Sequence, residues 1–296
     1  MAAAMEGNGD ARGLGLSLAA EPPGNVPGRP DRGPKSARGL LFTVLGEFVL
    51  PSGGAAWTSS LIDVLGRMGV EEKATRQALM RAAAHGWLSA ERIGRRTCWR
   101  LTASAEQLLS DGTERIYGFT ATRQAWDGRW LLVLARVPEA DRPARHRLRT
   151  RLSWAGFGSP APGVWLSPDT SRQAEAERAL ESAGMLADSQ VFRAEYASGG
   201  PVAAMARAAW DLDQIERRYE EFITDFASSP RADDLAQLAE LVHRWRRFPW
   251  IDPVLPAELL PEPWQGSVAA RIFSARHAEL APGAVVEWQR IMEAAS

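Results

Sequence analysis

From residue 39 the chain reads GLLFTVLGEFVL, an apolar run that suits a buried helix or a strand, because periodicity alone does not separate the two. A break at Pro51-Ser52-Gly53-Gly54 follows. After it, Leu61, Ile62, Leu65 and Met68 recur at helical spacing, with Thr58 or Ser59 expected as the N-cap and Gly66 and Gly69 weakening and ending the helix. A second helix is expected over about 71–84, closed by Gly86 in the position just past a helix end. Residues 87–93 and 97–102 carry aromatic and β-branched residues on either side of Gly94-Arg95-Arg96, which is a hairpin pattern. Helix, turn, helix, hairpin is the order of a winged helix-turn-helix, assigned to residues 37–102, and in that context the first apolar run is a helix.

Residues 103–129 read as a linker helix followed by an irregular stretch. From Trp130 a strand-like LLVLARV, a helix over 141–154, a strand at 164–167, a helix over 171–182 and a strand around 190–196 alternate. That order predicts a small ferredoxin-like α/β domain over 130–200. From residue 202 the pattern is nearly all helical, with Leu212, Ile215, Tyr219, Phe222 and Phe226 at spacings of three and four, and a proline-rich loop over 249–263 interrupts it. The expected class is therefore α+β: a winged helix, a central ferredoxin-like domain and a helical C-terminal domain over 201–296. Residues 1–36 are Gly, Pro, Ala and charge without an apolar face, and are expected to be a disordered tail.

Composition adds limits. With 296 residues, 45% of them hydrophobic, the chain can fill two or three separate cores. Its net charge is only −1, so any nucleic-acid affinity must come from a local patch. Residues 37–102 supply one: nine Lys and Arg stand against five Asp and Glu, a local +4. Helical spacing turns Ala74, Ala78, Leu79 and Ala82 inward and leaves Lys73, Arg76, Gln77 and Met80 outward, with Arg81 nearby. Arginine can bond a guanine edge and glutamine an adenine edge, each good pair giving about 1–3 kcal/mol of discrimination. Lys73 and the hairpin arginines Arg92, Arg95 and Arg96 suit phosphate instead, which gives salt-sensitive affinity without sequence information. The alternative is an ordinary solvated charged face. Against it, helix-turn-helix spacing, a glycine-ended second helix and an Arg-Arg hairpin tip coincide.

The single cysteine, Cys98, excludes an intrachain disulfide framework and multi-cysteine metal sites, suits a reducing cytoplasm, and is expected to pack in the hairpin. No run approaches the roughly 20 apolar residues of a membrane span. His85, His146, His243 and His277 are scattered, Gly156-Phe157-Gly158 lacks the third glycine of a dinucleotide fingerprint, and Asp211 and Asp213 face apart on a helix. No catalytic residue, metal or cofactor is therefore expected. An enzyme or interaction scaffold built on the central domain is the competing class.

Four blocks carry a resemblance: residues 70–100, GFGSPAPGVWLSP (156–168), WDLDQIERRYEEF (210–222) and HRWRRFPWIDPVLPAELLPEPWQG (243–266). Together, over about 39–292, the chain resembles the PaaX family of repressors associated with phenylacetic acid degradation. The resemblance implies the three-domain order above, a homodimer on double-stranded operator DNA, and an effector, phenylacetyl-CoA or a related aryl-CoA thioester, that lowers DNA affinity. Arg76, Arg81, Gly86, Trp87, Arg92, Gly94 and Arg95 stand where the family pattern has like residues. Thr75 replaces a usual aliphatic and Cys98 a usual aromatic, both read as packing adjustments. Family members answer to different acyl-CoA compounds, so another pathway and inducer remain a second reading.

For such an effector the sequence offers Arg145 and Arg149, in a helix also bearing Arg142, His146, Arg147 and Arg151, to hold phosphates. It offers Trp245 and Trp250, beside Phe248 and Trp264, to line an apolar cleft. A solvated helix face and a loop pinned by aromatics are the alternatives.

Overall fold

The first apolar run is a helix because it is buried all round. In the computed structural model, which describes residues 36–119, 125–135, 141–228 and 233–296, Ser36 accepts from the Gly39 N–H and starts α1 (Ala37–Val44), which continues through a π-helical turn at Leu45–Val49. Leu40, Leu41, Val44, Leu45, Phe48 and Val49 are all buried, as a helix without a polar face must be. Apart from Ser36, the stretch expected to be a disordered tail lies outside the described residues.

Strand β1 (Ala55–Trp57), helices α2 (Thr58–Arg67) and α3 (Glu72–Ala84), and strands β2 (Leu88–Ile93) and β3 (Arg96–Leu101) complete a winged helix. β3 is central, with β1 and β2 antiparallel on its two sides. Ile93 pairs with Arg96 across a two-residue turn whose first residue, Gly94, has φ +62°, as a type II′ hairpin turn requires. Two details differ from expectation. β1, an Ala-Ala-Trp segment too short to show a pattern, forms by pairing with an edge that would otherwise stay open. Thr58 does not cap α2, since Trp57 holds the N-cap; its hydroxyl instead donates to the Thr97 carbonyl (3.1 Å) and accepts from Trp99 Nε1 (2.9 Å), tying helix to sheet.

Helix α4 (Ala103–Gly118), capped by Thr102, leads to β4 (Arg129–Ala135), α5 (Arg142–Trp154), β5 (Gly158–Ala161), β6 (Val164–Ser167), α6 (Gln173–Ser182) and β7 (Ser189–Glu195). The antiparallel order β5-β6-β4-β7 in a βαββαβ chain is ferredoxin-like. β5 is absent from the sequence pattern because Gly-Ser-Pro-Ala contains no strand former. It is an edge strand with an irregular register, a position that tolerates Pro160, which has no N–H to give to a ladder. The end of the expected strand LLVLARV, at 136–137, and residues 120–124 lie outside the described residues.

The last part is helical: α7 (Val202–Trp210), α8 (Leu212–Phe226), α9 (Asp234–Trp245), the short α10 (Phe248–Ile251) and the long α11 (Gln265–Ala295). Leu212, Ile215, Tyr219, Phe222 and Phe226 form the buried stripe of α8.

Instead of separate cores for each domain, one apolar cluster runs through both the winged helix and the C-terminal helices, and a second lies between the ferredoxin-like sheet and α5 and α6. Phe48 stacks on Trp288 at 5.7 Å, Trp288 Nε1 donates to Ser52 Oγ (3.1 Å), and Ser60 Oγ donates to the Ile291 carbonyl (3.4 Å). α1 is likewise joined to α9, with Thr43 Oγ1 3.0 Å from His243 Nδ1. The winged helix is thus built into the C-terminal body. Among the described residues no helix is long and apolar enough to cross a membrane.

Candidate nucleic-acid interface

Helix α3 buries Thr75, Ala78, Leu79 and Ala82 against α1 and α2, and leaves Lys73, Arg76, Gln77, Met80 and Arg81 in solvent. The outward set is the one helical spacing indicates. The inward set differs in one place: Thr75 is fully buried and Ala74 only partly. Met80, although apolar, is 62% exposed on the same face. Arg76 is held by Glu72 one turn earlier (Nη2–Oε1 2.7 Å), an exposed pair that binds weakly and exchanges readily for another acceptor. Glu72, Lys73, Arg76, Gln77, Met80 and Arg81 together line one open hollow along the helix.

In the hairpin, Arg95 stands exposed at the turn and Arg92 Nε reaches the Gly94 carbonyl (3.4 Å). Arg100 is paired across the ladder with Glu91 (2.7 Å). Arg96, grouped with Arg95 from sequence, is occupied otherwise: its Nη1 donates to the carbonyl oxygens of Ala295 and Ser296, so the end of α11 holds the wing just beside its turn. Cys98 is buried in β3, and burial pushes its thiol pKa up, away from reactivity.

The four residues suggested for an effector do not come together. Arg145 and Arg149 lie on the exposed side of α5, whose other face packs through Ala144, Leu148 and Leu152. Trp245 is a core residue with no exposed surface, stacked on Phe273 at 4.7 Å and donating Nε1 to the Ile116 carbonyl (3.3 Å). Trp250 alone reaches a cavity. That cavity is a cleft of about 630 Å³ between the ferredoxin-like domain and the C-terminal helices, lined by Arg115, Arg172, Arg218 and Arg247 with Trp154, Trp210 and Trp250.

Sequence reasoning missed these arginines because they come from separate elements with no common spacing. The Arg115 guanidinium lies 4.0 Å above the Trp250 ring and donates to the Pro249 carbonyl (3.1 Å). Burial first, and then the charge of Arg172, lowers its pKa; burial, Arg218 and Arg244 do the same for Arg247. Asp211 and Asp252 also line the cleft, but Asp252 is engaged by the Tyr219 hydroxyl (2.7 Å) and the Val254 N–H (2.7 Å). Among the described residues no group of His, Cys, Asp or Glu could hold a metal ion.

Two of the resemblance blocks meet beside this cleft. Trp210 Nε1 donates to the Gly156 carbonyl (3.1 Å), and its ring covers Gly158, where a Cβ would lie 2.5 Å from the indole.

The arrangement defines the class of multidomain winged-helix proteins, with the winged helix fused to a ferredoxin-like and a helical body. Three family profiles match in chain order: the PaaX-like protein over residues 36–105, the PaaX protein central Cas2-like domain over 123–206, and the PaaX-like protein C-terminal domain over 210–290. Transcriptional repressor PaaX of Escherichia coli strain K12 is 32% identical over 267 residues, spanning 85% of this chain and 83% of that protein. The chain belongs to the PaaX family. A solved structure of an uncharacterized protein from Mycobacterium tuberculosis shares the fold, with a TM-score of 0.59 and 24% identity over 86% of this chain and 99% of that one.

Proposed function

We propose that the protein is a cytoplasmic, homodimeric transcriptional repressor of a phenylacetate-type aromatic catabolic operon, released from double-stranded operator DNA by an aryl-CoA thioester such as phenylacetyl-CoA. The observation that carries the DNA-binding part is the face of α3 on which Lys73, Arg76, Gln77, Met80 and Arg81 stand exposed along one open hollow, next to a wing tipped by Arg95. A major groove admits such a helix, with Arg76 and Gln77 meeting base edges while Lys73, Arg92 and Arg95 meet phosphates. Kinship to a transcriptional repressor supports the direction of the effect. A two-fold dimer places its two α3 helices about one helical turn of DNA apart, or a multiple of it. The effector acts only as far as it binds the released conformation more tightly than the DNA-bound one.

Footprinting of the DNA upstream of the gene tests this reading. Protection of a pseudo-palindromic site that disappears on adding phenylacetyl-CoA is the expected result. A protected site indifferent to every acyl-CoA would remove the effector from the proposal, and no protected site would remove the repressor.

A further inference from the structure

Beside the arginine-lined cleft lies a second, smaller cavity. It measures about 190 Å³ and is walled by Phe42, Leu108, Leu109, Ile116 and Val242 from α1, α4 and α9. Its polar groups are largely engaged by protein: Glu47 receives the Tyr117 hydroxyl (2.6 Å) and lies 3.0 Å from His277, Asp111 receives Gln107 (2.7 Å), and the buried Arg246 donates Nη1 to Thr43 Oγ1 (3.3 Å). What remains is an apolar chamber. Arg115 and Trp250 line both the chamber and the cleft, so their stacked pair is the partition between them. Trp154, from the ferredoxin-like side, meets Trp250 edge-on at 5.5 Å.

The geometry points to one two-part effector site, in which the cleft takes the phosphates of an acyl-CoA thioester and the chamber takes its compact apolar acyl end, with the Arg115–Trp250 pair at the junction. This rests on the aryl-CoA reading above and gives it a place. Sizes agree with the assignment: ligand clefts run to about 300–1,000 Å³, and an apolar cavity of about 150 Å³ accepts a benzene ring. Charge agrees as well: Arg218 and Arg247 face the space together with Arg115, which gives one bond to the Pro249 carbonyl, and Arg172, which is paired with Asp169 (3.1 Å), while of the two lining carboxylates Asp252 is already engaged. Arginine forks match phosphate oxygens better than any other side chain does.

The chamber also supplies a route to the DNA. Its α1 wall includes Gly46 and Glu47 of the π-helical turn, and such turns cluster at functional sites. The same α1 is the helix on which α3 packs. An acyl group seated there touches the winged helix directly, whereas the cleft is lined by the other two domains and by Arg115 of α4.

Calorimetric titration of the full chain with coenzyme A and with phenylacetyl-CoA separates the compartments. Arg218→Glu with Arg247→Glu should weaken both ligands at least tenfold. Leu108→Trp, which fills the chamber, should abolish the advantage of phenylacetyl-CoA over coenzyme A. Operator binding without ligand serves as the check that each variant is folded, and Trp250→Leu is a second chamber variant should Leu108→Trp fail that check. If wild type binds phenylacetyl-CoA and the cleft and chamber variants bind it equally well, the site is elsewhere and the aryl-CoA reading stands. If wild type binds neither compound, both are overturned.

Discussion

Arg67 at the end of α2 places Nη2 2.8 Å from Oε1 of Glu287 on α11, and Nη1 3.3 Å from Asp233 at the start of α9. A single guanidinium thus joins the helix-turn-helix to two helices of the C-terminal domain, α9 and α11. Together with the shared core, this fixes the orientation of α3 to the body. In the proposed dimer, a change in the spacing of the two α3 helices then requires the C-terminal helices to move with them.

The Glu287 carboxyl is held down to about 2, from an ordinary 4.5, by hydrogen bonds from Arg290 and then Arg67. A carboxylate with a lowered folded pKa stabilises the protein fully above its unfolded value, and that contribution fades as pH falls from about 4.5 towards 2. Glu287→Gln should therefore lower the melting temperature at neutral pH, and the gap from wild type should close in acid. Thermal melts across pH 2–7 check this; a gap that stays constant down to the lowest pH would contradict it.

Thr75 stands fully buried on α3, and its Oγ1 has no hydrogen-bond partner among the described residues. A buried hydroxyl left unpaired costs about 1–3 kcal/mol. Thr75→Val keeps the shape and removes the oxygen, so urea unfolding should show a more stable protein with unchanged operator affinity. Loss of stability would show that the hydroxyl is satisfied in solution.

Gly158→Ala should be costly, because the new Cβ would lie 2.5 Å from the Trp210 indole. Overpacking of this kind costs about 1–3 kcal/mol. Trp210→Leu in the same chain should recover part of the loss, and a strictly additive double variant would rule out the contact as its cause.

Much of the DNA-binding domain was legible because its signals are local. Gly94 must adopt a positive φ at the hairpin turn, and the apolar stripe of α3 repeats within a few residues. Elements made by distant partners were not. β1 exists because β3 offers it an edge, and β5 contains no residue that favours a strand. The candidate effector residues show the limit most clearly: Trp245 and Trp250 are alike in sequence context, yet one is sealed in the core and the other opens on a cleft. Nothing near Arg96 signals that the last turn of α11 will claim its guanidinium.

That contact divides the wing. Arg95 is exposed at the turn, whereas Arg96 is bonded to the end of α11. Arg95→Ala should weaken binding to all duplexes and reduce the slope of log affinity against log salt by about one. Arg96→Ala should change that slope less and loosen the wing instead, visible as faster amide exchange in β3. Equal slopes for the two variants would refute the distinction.

The most direct measurement is fluorescence anisotropy with two labelled duplexes, one from the gene's upstream region and one of shuffled sequence, at rising salt, for wild type and Arg76→Ala. Wild type should prefer the upstream duplex at every salt concentration while both affinities fall with salt. Arg76→Ala should lose about 1–3 kcal/mol of that preference, a drop of about fivefold to 150-fold, with little change on the shuffled duplex. Equal affinity of wild type for the two duplexes throughout would contradict α3 as a reading helix.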